Sequence, residues 1–475
     1  MFYRKFYQYS CLLCLLVVAV ILFYAGHIFF GGMMLAGIYV TNELLWTDHI
    51  RYNRQSDYQY SFTQGQQIEA TIEGDTLIIP ALASTDNVTA LLEITCRATL
   101  SGYIFDPYVA IQVGKNNARQ YFERGLKGKR YLNVSHLLSN ERPIQLEVKH
   151  CRITEKTAPL VVFNNPELEG KKILVLAPHP DDAEIAAFNL YRQYNSMIVT
   201  VTAGESEPER ALIEETGSLE KACMLKGRLR AWDSVAVPQW AGLTPDQLLQ
   251  LGYPDGCLKA LHAGNTIRSE SKRGFRQFNC HKLITDNGVN LSWDTLKQDF
   301  SEIIRTWQPN VIVTPHPTMD AHSDHQLTTK AVQEVVNDLA LVDIVFLYYA
   351  NHLPETDHWP FGEKGTLVAP PPGKHTVGQY FSVPVPASIQ TDKACALAMM
   401  HDLQGPVSLK KQLRYWLQEK LLGRERCSVG DDPYFRKAVR INELFIVENT
   451  RSLSDLRQFR PKIQKVRESA ARISD

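Results

Sequence analysis

Hydrophobic and polar positions divide the chain into regimes with different periods. From Cys11 to Val40 the residues are almost uniformly apolar, with no Asp, Glu, Lys or Arg. About 20 apolar residues in a helix span a bilayer core. This longer run predicts an uncleaved anchor, tilted or frayed near Gly31-Gly32. A cleaved signal peptide has a core of only about 7–15 residues. From about Tyr60 to Ile153 apolar residues recur with period two, as in Gln67-Ile-Glu-Ala-Thr-Ile72, Leu91-Leu-Glu-Ile-Thr-Cys96 and Tyr108-Val-Ala-Ile-Gln-Val113. Short alternating strands broken by Gly, Asn and Asp predict a small β-sandwich. Beyond residue 170 the alternation stops. Lys171-Lys-Ile-Leu-Val-Leu-Ala177, Ser196–Ala203, Val311–Thr314 and Ile344–Tyr348 are near-continuous apolar runs, and residues 182–194 fit a helix. Strands buried on both faces of a parallel sheet read this way.

The predicted fold class is α/β: a doubly wound, mostly parallel, Rossmann-like catalytic domain preceded by a transmembrane anchor and a small β-sandwich. The expected boundaries are 1–40 for a cytoplasmic tip and anchor, 41–59 for a stalk and 60–155 for the sandwich. A linker follows at 156–170, the catalytic domain at 171–450, and a basic helix or tail at 451–475.

Composition adds exclusions. A chain of 475 residues fits two or three units. Apolar content of 44% and charged content of 21% exclude a disordered class. Lys plus Arg balances Asp plus Glu at 51 each, which gives no case for nucleic acid as a partner. Arg4 and Lys5 precede the apolar run, whereas Glu43 and Asp48 come before Arg51 on its far side. The positive-inside bias then places the N-terminus in the cytoplasm and the body outside it, in a single-pass topology fitting a bacterial inner membrane. Nine cysteines are present; outside the anchor none forms a CxxC pair. Cys96 and Cys151, near two strand ends, can either pair in an oxidising compartment or stay buried and free.

Candidate chemistry sits just after two apolar strands, where ligands collect in open α/β sheets. The first strand runs into Pro178-His-Pro-Asp-Asp182, and the strand at 311–314 into Pro315-His316, Asp320 and His322-Ser-Asp-His325. A catalytic zinc takes three ligands from His, Asp or Glu and keeps an open position. His179, Asp182 and His325 are the candidate metal ligands. Asp181 is free to act as general base on water, and His322 to steady the oxyanion of an amide. The proton for the leaving amine can come from Asp181 or His322. Glu184 is expected on the solvent side of the helix start or behind the ligands, and Asp324 in a solvated, capping or ligand-supporting place.

From about 171 to 447 the chain resembles the PIG-L (LmbE-like) zinc-dependent N-acetylglucosaminyl deacetylases. The resemblance rests on His179-Pro-Asp-Asp-Ala-Glu184 and His322-Ser-Asp-His325. Weaker matches are Thr202-Ala-Gly-Glu205 and Leu251-Gly-Tyr-Pro-Asp-Gly256. It implies Zn²⁺ on His179, Asp182 and His325, with Asp181 as base and His322 at the transition state. It also implies sugar contacts from Glu205 and Asp255 and from either Arg228 or Arg230. The implied partner is an N-acetylated sugar, glycan or glycolipid. Segment 265–295, with Arg268, Lys272, Arg273 and Arg276, reads as a basic inserted loop. Competing readings are an inactive anchored glycan-binding protein and another metal-dependent hydrolase. A magnesium phosphatase is disfavoured by two histidines, and a nicotinamide enzyme by the lack of G-x-G-x-x-G after the first strand.

Overall fold

The computed structural model describes residues 16–18, 20–21, 24, 26–46, 50–82, 84–138, 143–404, 407–424 and 432–450. The expected cytoplasmic tip, Cys11, Cys14 and the basic tail at 451–475 lie outside the described residues. Helix α1 (Ile28–Leu45) is long and apolar enough to cross a membrane, and most of it is exposed.

Ten strands follow: β1 (Gln59–Phe62), β2 (Gln66–Glu73), β3 (Thr76–Ile78), β4 (Val88–Ala98), β5 (Tyr108–Val113), β6 (Asn116–Tyr121), β7 (Lys127–Asn133), β8 (Ile144–Lys149), β9 (Cys151–Ile153) and β10 (Thr157–Asn164). Strands β2 to β10 form one antiparallel sheet in the order β6-β5-β8-β3-β2-β10-β4-β7, with β9 paired to the end of β4. Ala70, Ile94, Ile111, Leu132 and Leu160, from five of these strands, are buried in one common core. The sheet therefore curls round its own apolar face. Its two end strands are stitched by one side chain. Gln120 of β6 donates from Nε2 to the Tyr131 carbonyl at 2.7 Å, and its Oε1 accepts from the Asn133 amide at 2.8 Å.

This rolled, nearly closed sheet replaces the predicted two-sheet sandwich. Period two reports one wet and one dry face per strand, but not whether dry faces meet across two sheets or inside one. Residues 157–164, placed in the linker by composition, form β10 and pair with both β2 and β4. Cys96 and Cys151 are free and buried on the paired strands β4 and β9. Gln120→Ala leaves a buried N–H and a buried C=O unpaired, at about 1–3 kcal/mol for each lost partner. The expected result is a clear fall in denaturant midpoint with little change in slope.

The remaining strands are β11 (Ile173–Ala177), β12 (Ser196–Thr202), β13 (Leu248–Tyr253), β14 (Ile267–Arg268), β15 (Asn290–Leu291), β16 (Val311–Pro315), β17 (Val345–Tyr349), β18 (Lys374–Val377), β19 (Gln379–Pro384) and β20 (Asn442–Asn449). Seven form a mixed sheet in the order β13-β12-β11-β16-β17-β20-β19. The first five run parallel; β20 returns antiparallel between β17 and β19. Strand β1 pairs in parallel with β18 in a separate two-stranded sheet. The doubly wound, mostly parallel, Rossmann-like fold class is thus corrected. Eleven of the sixteen strand ladders among the described residues are antiparallel and five are parallel. An apolar run tells that both faces of a strand are buried; it does not tell the direction of its neighbours.

Helices α2 (Asp182–Gln193), α3 (Leu219–Ala236), α4 (Trp293–Trp307), α5 (Ser323–Asp338), α6 (Ala387–Met399) and α7 (Leu409–Leu422) complete the frame. Ser218 and Ser292 cap α3 and α4 by accepting the Lys221 and Thr295 amides. Strand β11 feeds both faces of the sheet. Ile173, Val175 and Ala177 pack with Phe188 of α2 and Leu397 of α6. Leu174 and Leu176 share a core with Phe300 of α4, Val335 of α5, and Leu91, Tyr131, Val161 and Phe163 of the rolled sheet.

The expected basic loop is partly structural. Arg276 is buried and donates to the Leu251 carbonyl, Thr285, Asp286 and Asp299, and buried Lys272 donates to the Thr285 carbonyl. Arg268 and Arg273 remain on the surface.

Candidate active site

The site lies where β11 and β16, adjacent and parallel, end together. After Ala177 the chain turns sharply into α2. Thr202, at the end of β12, fixes that turn by donating both its amide and its hydroxyl to the Pro178 carbonyl, each at 2.9 Å. Asp181 then adopts φ 119°, in the left-handed region. Such a conformation in a non-glycine residue costs about 1–3 kcal/mol and persists only where its surroundings impose it. Here Arg230 of α3 imposes it. One guanidinium nitrogen donates to the Pro180 carbonyl at 2.7 Å and to Asp181 Oδ2 at 3.3 Å. The other meets the Gly204 carbonyl at 3.1 Å and Asp402 at 3.0 Å. Gly204 has φ 62°, and a Cβ there would come within 2.5 Å of Arg230, so only glycine fits.

Three donor atoms converge beside this turn. His179 Nδ1 and His325 Nε2 are 3.1 Å apart, His325 Nε2 and Asp182 Oδ2 3.1 Å, and His179 Nδ1 and Asp182 Oδ2 3.4 Å. Donors about 2.0–2.1 Å from a tetrahedral ion are separated by about 3.3 Å. The triangle and its mixed nitrogen and oxygen chemistry therefore fit a divalent metal. Each donor is held from behind. Asn351 donates to Asp182 Oδ1 at 2.7 Å and the His179 amide to Oδ2 at 2.9 Å. His179 Nε2 meets Asp255 at 3.1 Å. His325 Nδ1 lies 3.1 Å from Asp320 Oδ2, which also accepts the Asn351 amide. Burial opposes charge on His325. The carboxylates of Asp182 and Asp320 outweigh it and push the imidazole up to about 9.

His322 is the N-cap of α5 rather than a loop residue. Its Nδ1 accepts the Asp324 amide at 3.3 Å. A neutral ring then carries its proton on Nε2. Burial and the neighbouring His179 and His325 hold its pKa below the ordinary value. Its ring stands perpendicular to His179, with centroids 4.7 Å apart. For Asp181, burial is the main effect and pushes the carboxyl up to about 7, while Arg230 acts in the opposite sense.

Glu205 reaches the site through Asp255, accepting its amide at 3.1 Å on both oxygens. Asp255 is held down to about 2: burial pushes it up, and the bond to His179, the His179 and Arg230 charges and Ser206 together outweigh it. Of the two candidate arginines, Arg230 is in the site and Arg228 points into solvent. Two open alternatives narrow. Asp324 is fully buried, lies 3.7 Å from His179 Nε2, and ties the end of β16 to the segment after β13, accepting the Gly256 amide at 2.7 Å and the Leu258 amide at 3.3 Å. Glu184 is buried as well, takes the Tyr191 hydroxyl at 3.3 Å, and is pushed up to about 8 by burial. Sequence reasoning gave no role to Asp320, Asn351 or Asp402. The outer nitrogen of a ligating histidine needs an acceptor, which was a usable signal for Asp320. Asn351, at the end of β17, and Asp402 carried no local signal.

Residues 174–336 match the family model described as PIG-L: GlcNAc-PI de-N-acetylase. No curated protein matches the chain. Among solved structures, N,N'-diacetylchitobiose deacetylase from Pyrococcus horikoshii overlaps at 15% identity, covering 60% of this chain and 88% of that one, with a TM-score of 0.33. A zinc-inhibited teicoplanin deacetylase overlaps at 17% identity, covering 58% and 98%, also with a TM-score of 0.33. GalB, the 4-carboxy-2-hydroxymuconate hydratase from Pseudomonas putida, overlaps at 15% identity, covering 58% and 95%, with a TM-score of 0.27. Overlaps this loose say nothing about activity; the family match does, because it spans both strand ends and every donor of the triangle. The segment that builds the site, residues 174–336, is thus the part of the chain that matches the PIG-L family model.

Proposed function

We propose that the chain is a membrane-anchored, zinc-dependent deacetylase that removes acetyl from an N-acetylhexosamine unit of a glycan or glycolipid. The observation that carries this reading is the triangle of His179, Asp182 and His325 beside the strained Asp181, inside a PIG-L segment. Zinc held by those three residues would supply a Lewis acid for the amide carbonyl and lower the pKa of water.

The chain's own residues supply the rest. Asp181, with its carboxyl near neutrality, takes a proton from the attacking water and passes it to the nitrogen that leaves. His322, neutral and protonated on Nε2, donates a hydrogen bond to the oxyanion. Asp255 and Glu205, at the rim, meet sugar hydroxyls. Arg230 positions Asp181 and holds the turn. The apolar α1 supports anchoring, and the charge bias around it supports a body outside the cytoplasm.

The deciding experiment is acetate release from N-acetylated glycans by the full-length protein in detergent, with and without a chelator. Release that survives complete chelation overturns the reading. Protection of the body from protease added outside intact cells would overturn the orientation.

Arg230→Gln gives a signed pH test. Asp181 must be ionised to act as base, and Arg230 holds its pKa down. Removing the positive charge raises it, so the acid limb of kcat/KM moves to higher pH. A limb that stays in place identifies some other group as the base.

A further inference from the structure

We propose that α7 is an interfacial helix that lies in the headgroup layer of the bilayer entered by α1. This rests on α1 being the membrane anchor. Leu409, Leu413 and Trp416 recur at spacings of four and three, which places them on one face of α7. That face is uncovered: Leu409 is 83% exposed and Trp416 56%. The opposite face holds the buried Gln418, and Leu417, at the edge of the stripe beside Leu413, is buried as well. Single exposed leucines need no explanation, but an apolar stripe on one helix does.

The occupant is named by what α7 is clamped to. Glu43, near the end of α1, is fully buried and accepts from Arg414 Nε at 2.5 Å. Arg414 also stacks over the Trp46 ring, 4.0 Å from its centroid. Gln418 donates to the carbonyls of Glu43, Leu44 and Trp46, the orphan acceptors at the helix end. Lys410 lies 3.7 Å from the Glu43 carboxylate, whose side chain tilts back towards the start of α1. The middle and C-terminal half of α7 therefore sit at the end of α1, and Lys410 keeps the Leu409 end within side-chain reach of Glu43.

An apolar stripe fixed beside a spanning helix meets lipid. Trp416 suits the interface, where tryptophan is enriched. Lys410 and Lys420, both exposed, flank or extend the stripe and suit anionic headgroups. Asp402, which bonds Arg230, precedes this helix closely in the sequence.

The test uses the full-length protein in vesicles of phosphatidylethanolamine and phosphatidylglycerol whose acyl chains are brominated. Bromines quench tryptophans at the interface. Trp416→Phe is expected to remove a quenched component of the emission. Leu409→Glu combined with Leu413→Glu, both at exposed positions, is expected to abolish quenching of Trp416 with acetate release from a soluble substrate unchanged. If Trp416→Phe leaves the extent of quenching equal to wild type, Trp46 at the end of α1 accounting for all of it, in protein that resists alkaline carbonate extraction, α7 is off the membrane and the proposal fails while the anchor stands. If carbonate extracts the wild-type protein, the anchor fails and takes the proposal with it. Cross-linked dimers lost on Leu413→Glu would assign the stripe to a second copy and also overturn it.

Discussion

Asp181→Asn is expected to lower kcat by about 10²- to 10⁴-fold, the range supplied by a positioned general acid or base. Bound metal and melting temperature should stay near wild type. The substitution keeps the size of the side chain and an oxygen for Arg230, which reaches Asp181 Oδ2 at 3.3 Å. Asparagine also tolerates the left-handed backbone found here at φ 119° better than most residues. The loss would therefore report the carboxylate's chemistry rather than a broken turn. Full activity in this variant would remove Asp181 from the mechanism, and a large fall in Tm would show that the turn rather than the proton had been lost.

His325→Ala should be more severe and different in kind. It removes one corner of the triangle and leaves Asp182 and Asp320, both buried, without the imidazole between them. Metal content measured on the purified protein should fall from about one ion per chain towards none. Activity should fall by about 10³-fold or more, since Lewis-acid stabilisation is worth several kcal/mol and each 1.36 kcal/mol is about tenfold. Asp320→Asn provides the graded control. It keeps all three donors and weakens only the support behind His325, so metal affinity should drop by about 10- to 100-fold. Excess metal should then restore Asp320→Asn but not His325→Ala. Equal behaviour of the two variants would mean that Asp320 is itself a ligand, or that the metal lies elsewhere.

The site was more legible in the sequence than the fold around it. His179-Pro-Asp-Asp182 and His322-Ser-Asp-His325 each follow an apolar run, and a strand end fixes direction as well as place. Two such ends could be paired without knowing the rest of the sheet. What the runs could not carry was long-range order. The return of β20 between β17 and β19 is decided by residues nearly 100 positions away from β17. The rolled sheet was missed because alternation is the same in a sandwich and in a curl. The closure by Gln120 rests on one polar side chain inside an ordinary strand. Helix phase sets Arg230 against the β11 turn and Arg228 in solvent, a relation between α3 and a distant loop that the sequence does not display. For Glu184 and Asp324 the sequence left a solvated and a buried, supporting place both open, because local pattern does not report burial; both are buried and their oxygens accept local donors.

The core shared by Leu174, Leu176, Leu91, Tyr131, Val161 and Phe163 has a further consequence. The rolled sheet is not cargo that recombination could detach or exchange. A fragment beginning at Lys171 would lose the part of that core supplied by Leu91, Tyr131, Val161 and Phe163, so the half that carries His179 draws stability from the half that precedes it. Transplanting the hydrolase alone onto another anchor should yield aggregate, and a portable version must carry its neighbour along.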